Sequence, residues 1–174
     1  MLQQYKTILR SILTPGDIVD GVEDIRPEEL YKKGYRTLLL DVDNTLMTDE
    51  QREMSLQKVH WVEMAKAIGF EVYLVSNNSS RRRIERVCRQ LQVKGIYFAL
   101  KPFPFATRDL IERHQIELRR CVVIGDQLLK DVILGNWLEI HNILVNPLDI
   151  GKSFIKTLQR DIELWILDCL ADDL

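Results

Sequence analysis

The chain has 174 residues, a formal net charge of −2, 46% hydrophobic and 29% charged residues. That balance is ordinary for a globular chain long enough to build its own core, and it provides no global drive toward nucleic acid. Cys88, Cys121 and Cys169 lack metal-ligand spacing and fit buried thiols in a reducing compartment, and no apolar run nears the roughly 20 residues that span a bilayer. Residues 1–13 carry Leu2, Tyr5, Ile8, Leu9, Ile12 and Leu13 at helical spacing, stopped by Thr14-Pro15-Gly16. Lys6 and Arg10 on the polar side make a modest interfacial-helix pattern, but docking on the domain or on another subunit is the simpler reading. The segment has neither the compact core and cleavage site of a signal peptide nor the basic content of a transit peptide. A short turn near Pro27–Lys33 follows. Strands are then predicted over 37–43, 71–75, 95–99, 120–124 and 141–145, alternating with helices over 55–68, 80–91, 103–114 and 128–136. A last helix is predicted over 152–170 after Asn146-Pro147. This rhythm predicts an α/β fold, a doubly wound parallel sheet in three α/β/α layers. Residues 1–174 read as a single domain, with the two terminal helices as peripheral elements. The expected location is the cytoplasm, with peripheral membrane binding as the alternative.

Leu38-Leu39-Leu40-Asp41-Val42-Asp43-Asn44-Thr45-Leu46 is the most informative stretch. Three leucines in a row suit a strand covered on both faces, and the carboxyl ends of such strands are where ligands bind. Side chains at i and i+2 share a face, so Asp41 and Asp43 repel unless a cation or proton lies near. A divalent cation with a phosphorylated substrate resolves that repulsion. The competing reading is an Asx-rich turn that caps the next segment. Three more polar groups follow later strands: Ser76-Asn77-Asn78, Lys101-Pro102, and Gly125-Asp126 with Asp131. Each alone reads as a helix cap, a surface lysine or a turn. Four in chain order at strand ends are hard to explain as separate caps. Neither a Walker loop nor GxGxxG is present, which argues against P-loop and dinucleotide chemistry. His60, His114 and His141 show no pairing and read as structural.

The set DVDNTL, VSNN, K, GDQLLKD resembles the haloacid dehalogenase (HAD) superfamily of aspartate-nucleophile phosphatases, over about Pro15 to Pro147. Val22-Glu23-Asp24-Ile25, Asp43-Asn44-Thr45-Leu46, and Gly125-Asp126-Gln127-Leu128-Leu129 with Gly135-Asn136 are similar to its subfamily IIIA. That group includes the YqeG-like proteins and the mitochondrial-type phosphatidylglycerophosphate phosphatases. Two positions depart from the resemblance: Lys130 stands in place of a small threonine and Trp137 in place of an arginine. An arginine that holds substrate in relatives would thus be lost.

The resemblance implies roles. Asp41 would be the nucleophile and form an aspartyl-phosphate, and Asp43 would protonate the leaving alkoxide and later activate water. Mg²⁺ would sit on the Asp41 carboxylate, the Asp43 backbone carbonyl and Asp126. Asp131 would hold a metal-bound water or orient Lys101, and Asn44 and Thr45 would support the first motif. Ser76, the amide of Asn77 and Lys101 would bind the phosphoryl oxygens.

Between Leu46 and Ser76 lie 29 residues, and between Ser76 and Lys101 lie 24. One helix and one strand account for each gap, so no cap domain fits. An uncapped site suits a phosphate on something large: a lipid headgroup at a membrane, a protein or a nucleic-acid end. The run Arg81-Arg82-Arg83, with Arg86 and Arg89, suits anionic lipid or a second substrate phosphate, and equally a solvated helix face paired with Glu85. The arginines are expected to lie outside the phosphoryl shell. Phe154, Ile155, Leu158, Ile162, Trp165 and Ile166 in the last helix read as core or dimer interface before membrane anchor. The leading expectation is a Mg²⁺-dependent phosphatase that converts phosphatidylglycerophosphate to phosphatidylglycerol, in contact with an anionic membrane and not with nucleic acid. The alternatives are a phosphatase for a soluble ester or a nucleic-acid end, and a non-catalytic scaffold. The oligomeric state is left open.

Overall fold

A computed structural model describes residues 2–149, 160–166 and 168. In chain order the elements are α1 (Leu2–Leu13), β1 (Asp17–Val19), α2 (Pro27–Lys32), β2 (Thr37–Leu40), α3 (Leu56–Ile68), β3 (Glu71–Val75), α4 (Arg81–Leu91) and β4 (Lys94–Ile96). Then come α5 (Phe105–Arg113), β5 (Cys121–Gly125), a π-helical turn (Leu128–Val132), α6 (Ile133–Trp137) and β6 (His141–Val145). Residues 160–166 are helical and form α7. Residues 152–159 of the predicted 152–170 helix, with Phe154, Ile155 and Leu158, lie outside the described residues.

The sheet is parallel throughout, in the order β1-β6-β5-β2-β3-β4. From β2 the chain winds outward through β3 and β4, then returns to β5 on the other side. The reversal lies between β2 and β5, where Leu40 stands beside Ile124, so a switch point opens beyond their carboxyl ends. The leucine run alternates across the sheet. Leu38 and Leu40 pack in one core with Trp61, Val62 and Ala65 of α3 and Ile84, Val87 and Leu91 of α4. Leu39 packs in the other with Leu110 and Ile111 of α5 and Leu134 of α6. Burying each of these leucines contributes about 1.5–3 kcal/mol. Both faces are therefore covered, as three consecutive leucines predict.

Several boundaries differ from the expected ones for local reasons. β2 ends at Leu40 rather than 43 because the chain folds over itself. The Asp41 amide donates to Ile124 O at 2.9 Å, the Leu46 and Met47 amides both donate to Val42 O, and Asn44 takes a left-handed φ of 67°. β4 ends at Ile96 rather than 99, since Phe98 and Leu100 are also left-handed (φ 51° and 58°). The segment near Pro27–Lys33 is a short helix rather than a turn. β1 was not predicted: three residues are too few for a period to show. α1 docks by its C-terminal end on the α6 region, where Asn136 Nδ2 donates to Ile12 O and Thr14 O.

Candidate active site

Four strand ends bring their polar residues to one cavity of about 250 Å³, which includes Asp41, Asp43, Asn77, Lys101, Asp126 and Asp131 in its wall. Asp41 leaves β2 and Asp126 leaves β5, its neighbour in the sheet. Lys101 arrives on the loop after β4, and Asp131 on the π-helical turn. The Lys101 ammonium is buried and lies 2.6 Å from both Asp41 Oδ1 and Asp131 Oδ1. Thr45 Oγ1 lies 3.2 Å from Asp41 Oδ2 and 3.3 Å from Asp126 Oδ1, linking the two strand ends. Asp131 is held from its other side by the Gln127 amide, 3.1 Å from Oδ2. Gly125 makes room for it: a Cβ there would lie 2.1 Å from Asp131 Cγ.

Two of the three buried carboxylates, Asp41 and Asp131, thus share one ammonium. Burial, followed by the charges of Asp41 and Asp131, pushes Asp126 up to about 8. Burial also pushes Asp41 up to about 6, with Asp131 and Asp43 adding to the rise and Lys101 opposing it. Burial works against the Lys101 charge, but Asp131 and Asp41 outweigh it and hold the ammonium above its ordinary range. Asp41, Asp126 and Asp131 each offer an oxygen within 4.8 Å of the others. A donor set made only of oxygen with an excess of negative charge fits a hard divalent cation.

Asp43 faces a different set of partners. Asn78 Nδ2 donates to its Oδ2 at 2.8 Å, and Ser76 Oγ lies 3.4 Å from the same oxygen. Arg83 holds its Oδ1 through Nε and Nη2, both at 2.9 Å. The same guanidinium donates to Thr48 O at 2.7 Å and Gln51 O at 2.9 Å, tying Asp43 to the loop between β2 and α3. Arg83 therefore supports the site through Asp43, a contact the sequence reading, which placed all three arginines of the run outside the phosphoryl shell, did not foresee. Arg81 pairs with Glu85, as the solvated-face reading has it.

Ser76 is fully buried, and its hydroxyl accepts from the Asn78 amide at 3.0 Å. The Asn77 side chain points at the backbone of Lys101. Its Nδ2 donates to Lys101 O at 2.8 Å and its Oδ1 accepts from Lys101 N at 2.6 Å. Asn44 supports the loop through its backbone, its amide donating to Met47 O and its carbonyl accepting from Leu148 N.

Sequence reasoning missed Arg83 and passed over Asn78, although Asn78 stood in the quoted Ser-Asn-Asn group. Nothing in the spacing told that α4 would turn its third residue back toward Asp43. α7 was also unforeseen as a wall of the cavity: Arg160 and Glu163 line it beside Lys130. Glu163 is buried and accepts from the Leu129 amide at 3.2 Å. Ile166 packs toward Leu128, Val132 and Leu144, while Ile162 and Trp165 are exposed.

Residues 99–147 match the HAD-hydrolase-like family model. Over 163 residues, 94% of each chain, the sequence is 34% identical to the probable phosphatase YqeG of Bacillus subtilis (strain 168). The chain belongs to the HAD-like phosphatase family. Solved structures share the fold. An uncharacterised protein from Listeria monocytogenes serotype 4b superposes with a TM-score of 0.55 at 18% identity, over 68% of this chain and 84% of that one. A hypothetical protein from Xanthomonas campestris does so with a TM-score of 0.52 at 17% identity, over 72% and 71%. This HAD-like phosphatase carries its acidic cluster just beyond the carboxyl ends of its two central strands and on the π-helical turn that follows the second. Among its described residues no helix is long and apolar enough to cross a membrane.

Proposed function

We propose that this phosphatase is a Mg²⁺-dependent phosphomonoesterase that works through an aspartyl-phosphate on Asp41 and converts phosphatidylglycerophosphate to phosphatidylglycerol. The observation that carries the chemistry is the buried contact of Asp41 with Lys101 beside Asp126 and Thr45. Asp41 attacks phosphorus and the bond from phosphorus to the ester oxygen breaks. Asp43 gives its proton to the leaving alkoxide, then takes one from the water that attacks phosphorus and releases Asp41 and inorganic phosphate. Lys101, the Asn77 amide and Ser76 bind the transferring oxygens, for which Ser76 exchanges its contact with Asp43. Asp41 and Asp126, with the Asp43 carbonyl, would hold the cation, which would neutralise phosphoryl charge. Asp131 is already committed to Lys101 and the Gln127 amide, which suits a residue that orients the lysine.

The lipid part rests on the similarity to subfamily IIIA and on the shape of the site. The β2–β3 and β3–β4 connections hold one helix each, so no inserted domain closes over the substrate, and an open mouth admits a phosphate on a bulky, interface-bound molecule. Lys130 and Arg160 at the cavity wall suit the phosphodiester such a lipid also carries. Phosphate release from phosphatidylglycerophosphate, a sugar phosphate, a nucleotide and a 5′-phosphorylated oligonucleotide, with Mg²⁺ or with chelator, tests the reading. The lipid should be turned over at least about 100-fold faster than the others, a gap of near 3 kcal/mol, and only with metal. A faster soluble ester would overturn the lipid assignment. Full activity under chelation would overturn the metal.

A further inference from the structure

The loop that delivers Lys101 has an unusual surface. Ala99 and Lys101 are buried, while the residues between and around them are not: Phe105 is 76% exposed, Phe98 and Phe103 54% and Leu100 50%. Tyr97 before them and Trp137 at the end of α6 are also exposed. The Phe103 ring stands 6.5 Å from Phe105 and 6.4 Å from Trp137, which joins the loop and α6 into one apolar cluster. Isolated exposed apolar residues need no explanation, but a cluster of this kind marks a docking surface.

The fold gains little by this arrangement. Phe98 and Leu100 take left-handed φ values of 51° and 58°, which cost energy for residues with a Cβ. Yet their side chains are not rewarded by burial. The loop is also held in place. The Phe98 amide donates to Asn78 O at 2.9 Å, Ala99 N to Ser76 O at 2.9 Å and Phe103 N to Leu100 O at 3.0 Å. The apolar side chains are thus presented by backbone bonded to the same segment that holds Asp43.

Charge decides what covers the cluster. α4 begins at the same end of the sheet and carries five arginines against one glutamate. Arg81 and Arg82 in its first turn are exposed, and Arg81 lies near Tyr97. Exposed aromatic side chains beside an arginine-rich helix start match the headgroup layer of an anionic bilayer, where rings enter the interface and guanidinium groups meet lipid phosphate.

We propose that the 97–105 loop, with Trp137 and the first turn of α4, is the face by which this phosphatase docks on an anionic phospholipid surface. The proposal rests on the reading that the substrate is a lipid phosphate. It goes further by naming the segment that enters the membrane: the loop that positions Lys101. Docking there sets the site mouth against the bilayer, so a headgroup reaches Lys101 without leaving the interface.

Co-sedimentation of the full chain with vesicles tests it. The vesicles are phosphatidylcholine alone or with phosphatidylglycerol, neither of which carries a phosphomonoester. The chain should bind only the mixed vesicles. Phe103→Ser with Phe105→Ser should lower partitioning at least about tenfold. Arg81→Gln with Arg82→Gln should lower it about 30-fold at low salt, a difference that shrinks at 0.5 M salt. Both variants should hydrolyse p-nitrophenyl phosphate within about twofold of the parent, which shows that they fold. Unchanged partitioning in the aromatic variant would overturn the proposal. So would a dimer in the parent that the aromatic variant dissociates, since a second copy would then cover the cluster. Vesicle binding without turnover of phosphatidylglycerophosphate would remove the substrate reading and leave the docking face standing. Turnover of that lipid in detergent without vesicle binding would do the reverse.

Discussion

Arg83 and Asp41 make different demands at the scale of single side chains. Asp41 sits where an amide nearly matches its shape but cannot attack phosphorus. Asp41→Asn should therefore keep the fold while kcat falls by roughly three to five orders of magnitude. Phosphate release near the parent rate would end the covalent mechanism. Arg83 acts through its neighbours. It holds Asp43 Oδ1 and the carbonyls of the 48–51 loop at once, so Arg83→Gln releases both. Protonation of the leaving group suffers most when that group is a poor one. The variant should lose about 10- to 100-fold on an alkyl phosphate, within the range general-acid catalysis spans, and clearly less on p-nitrophenyl phosphate. Arg83→Lys should recover only part, because an ammonium cannot span the forked contacts. An equal loss across leaving groups would mean that Arg83 serves only the fold. Asp41, Asp43, Lys101 and Asp126 could be found from sequence because each ends an apolar run. Arg83 could not, since its role depends on how a loop folds back across 40 residues of chain separation.

At the scale of elements, what was legible followed from burial. β2, β3, β5 and β6 are read from continuous apolar runs, which only a doubly covered strand requires. The ends of these elements were less legible, because loop geometry near the site sets them. Asn44, Phe98 and Leu100 take left-handed conformations that no apolar pattern announces. The junction of β5 with the π-helical turn is the tightest of these places. Gly125 lies against Asp131, so Gly125→Ala drives a methyl into the carboxylate that orients Lys101. Overpacking of this kind costs about 1–3 kcal/mol. The urea midpoint should drop accordingly, and the rate at saturating substrate should fall further than unfolding explains, because Lys101 loses its second partner. A variant with lowered stability but an unchanged rate per folded molecule would show that Asp131 does not position the lysine.

Over the whole molecule, the sheet order brings like charges together. The reversal between β2 and β5 puts Asp41 and Asp126 at neighbouring strand ends, and the helical turn after β5 adds Asp131. The fold tolerates this cluster by keeping protons that an unfolded chain would release. Unfolded aspartates ionise near pH 4, whereas burial and mutual repulsion raise Asp41 to about 6 and Asp126 to about 8 in the folded, metal-free protein. Because the folded state binds more protons across this window, stability is highest at its acid end and declines as pH rises through 6 toward 8. A divalent cation bound there would replace those protons and remove the repulsion. With Mg²⁺ at about 100 times its dissociation constant, the expected stabilisation is about 2.7 kcal/mol, or roughly 5–10 °C for a chain of this size. Proton competition makes that gain larger at pH 8 than at pH 6. Thermal midpoints measured at both pH values, with chelator or with Mg²⁺, should show a lower metal-free midpoint at pH 8 and the larger metal increment there. Equal increments at the two pH values would mean that the cation does not bind at the carboxylates whose protons it is expected to displace.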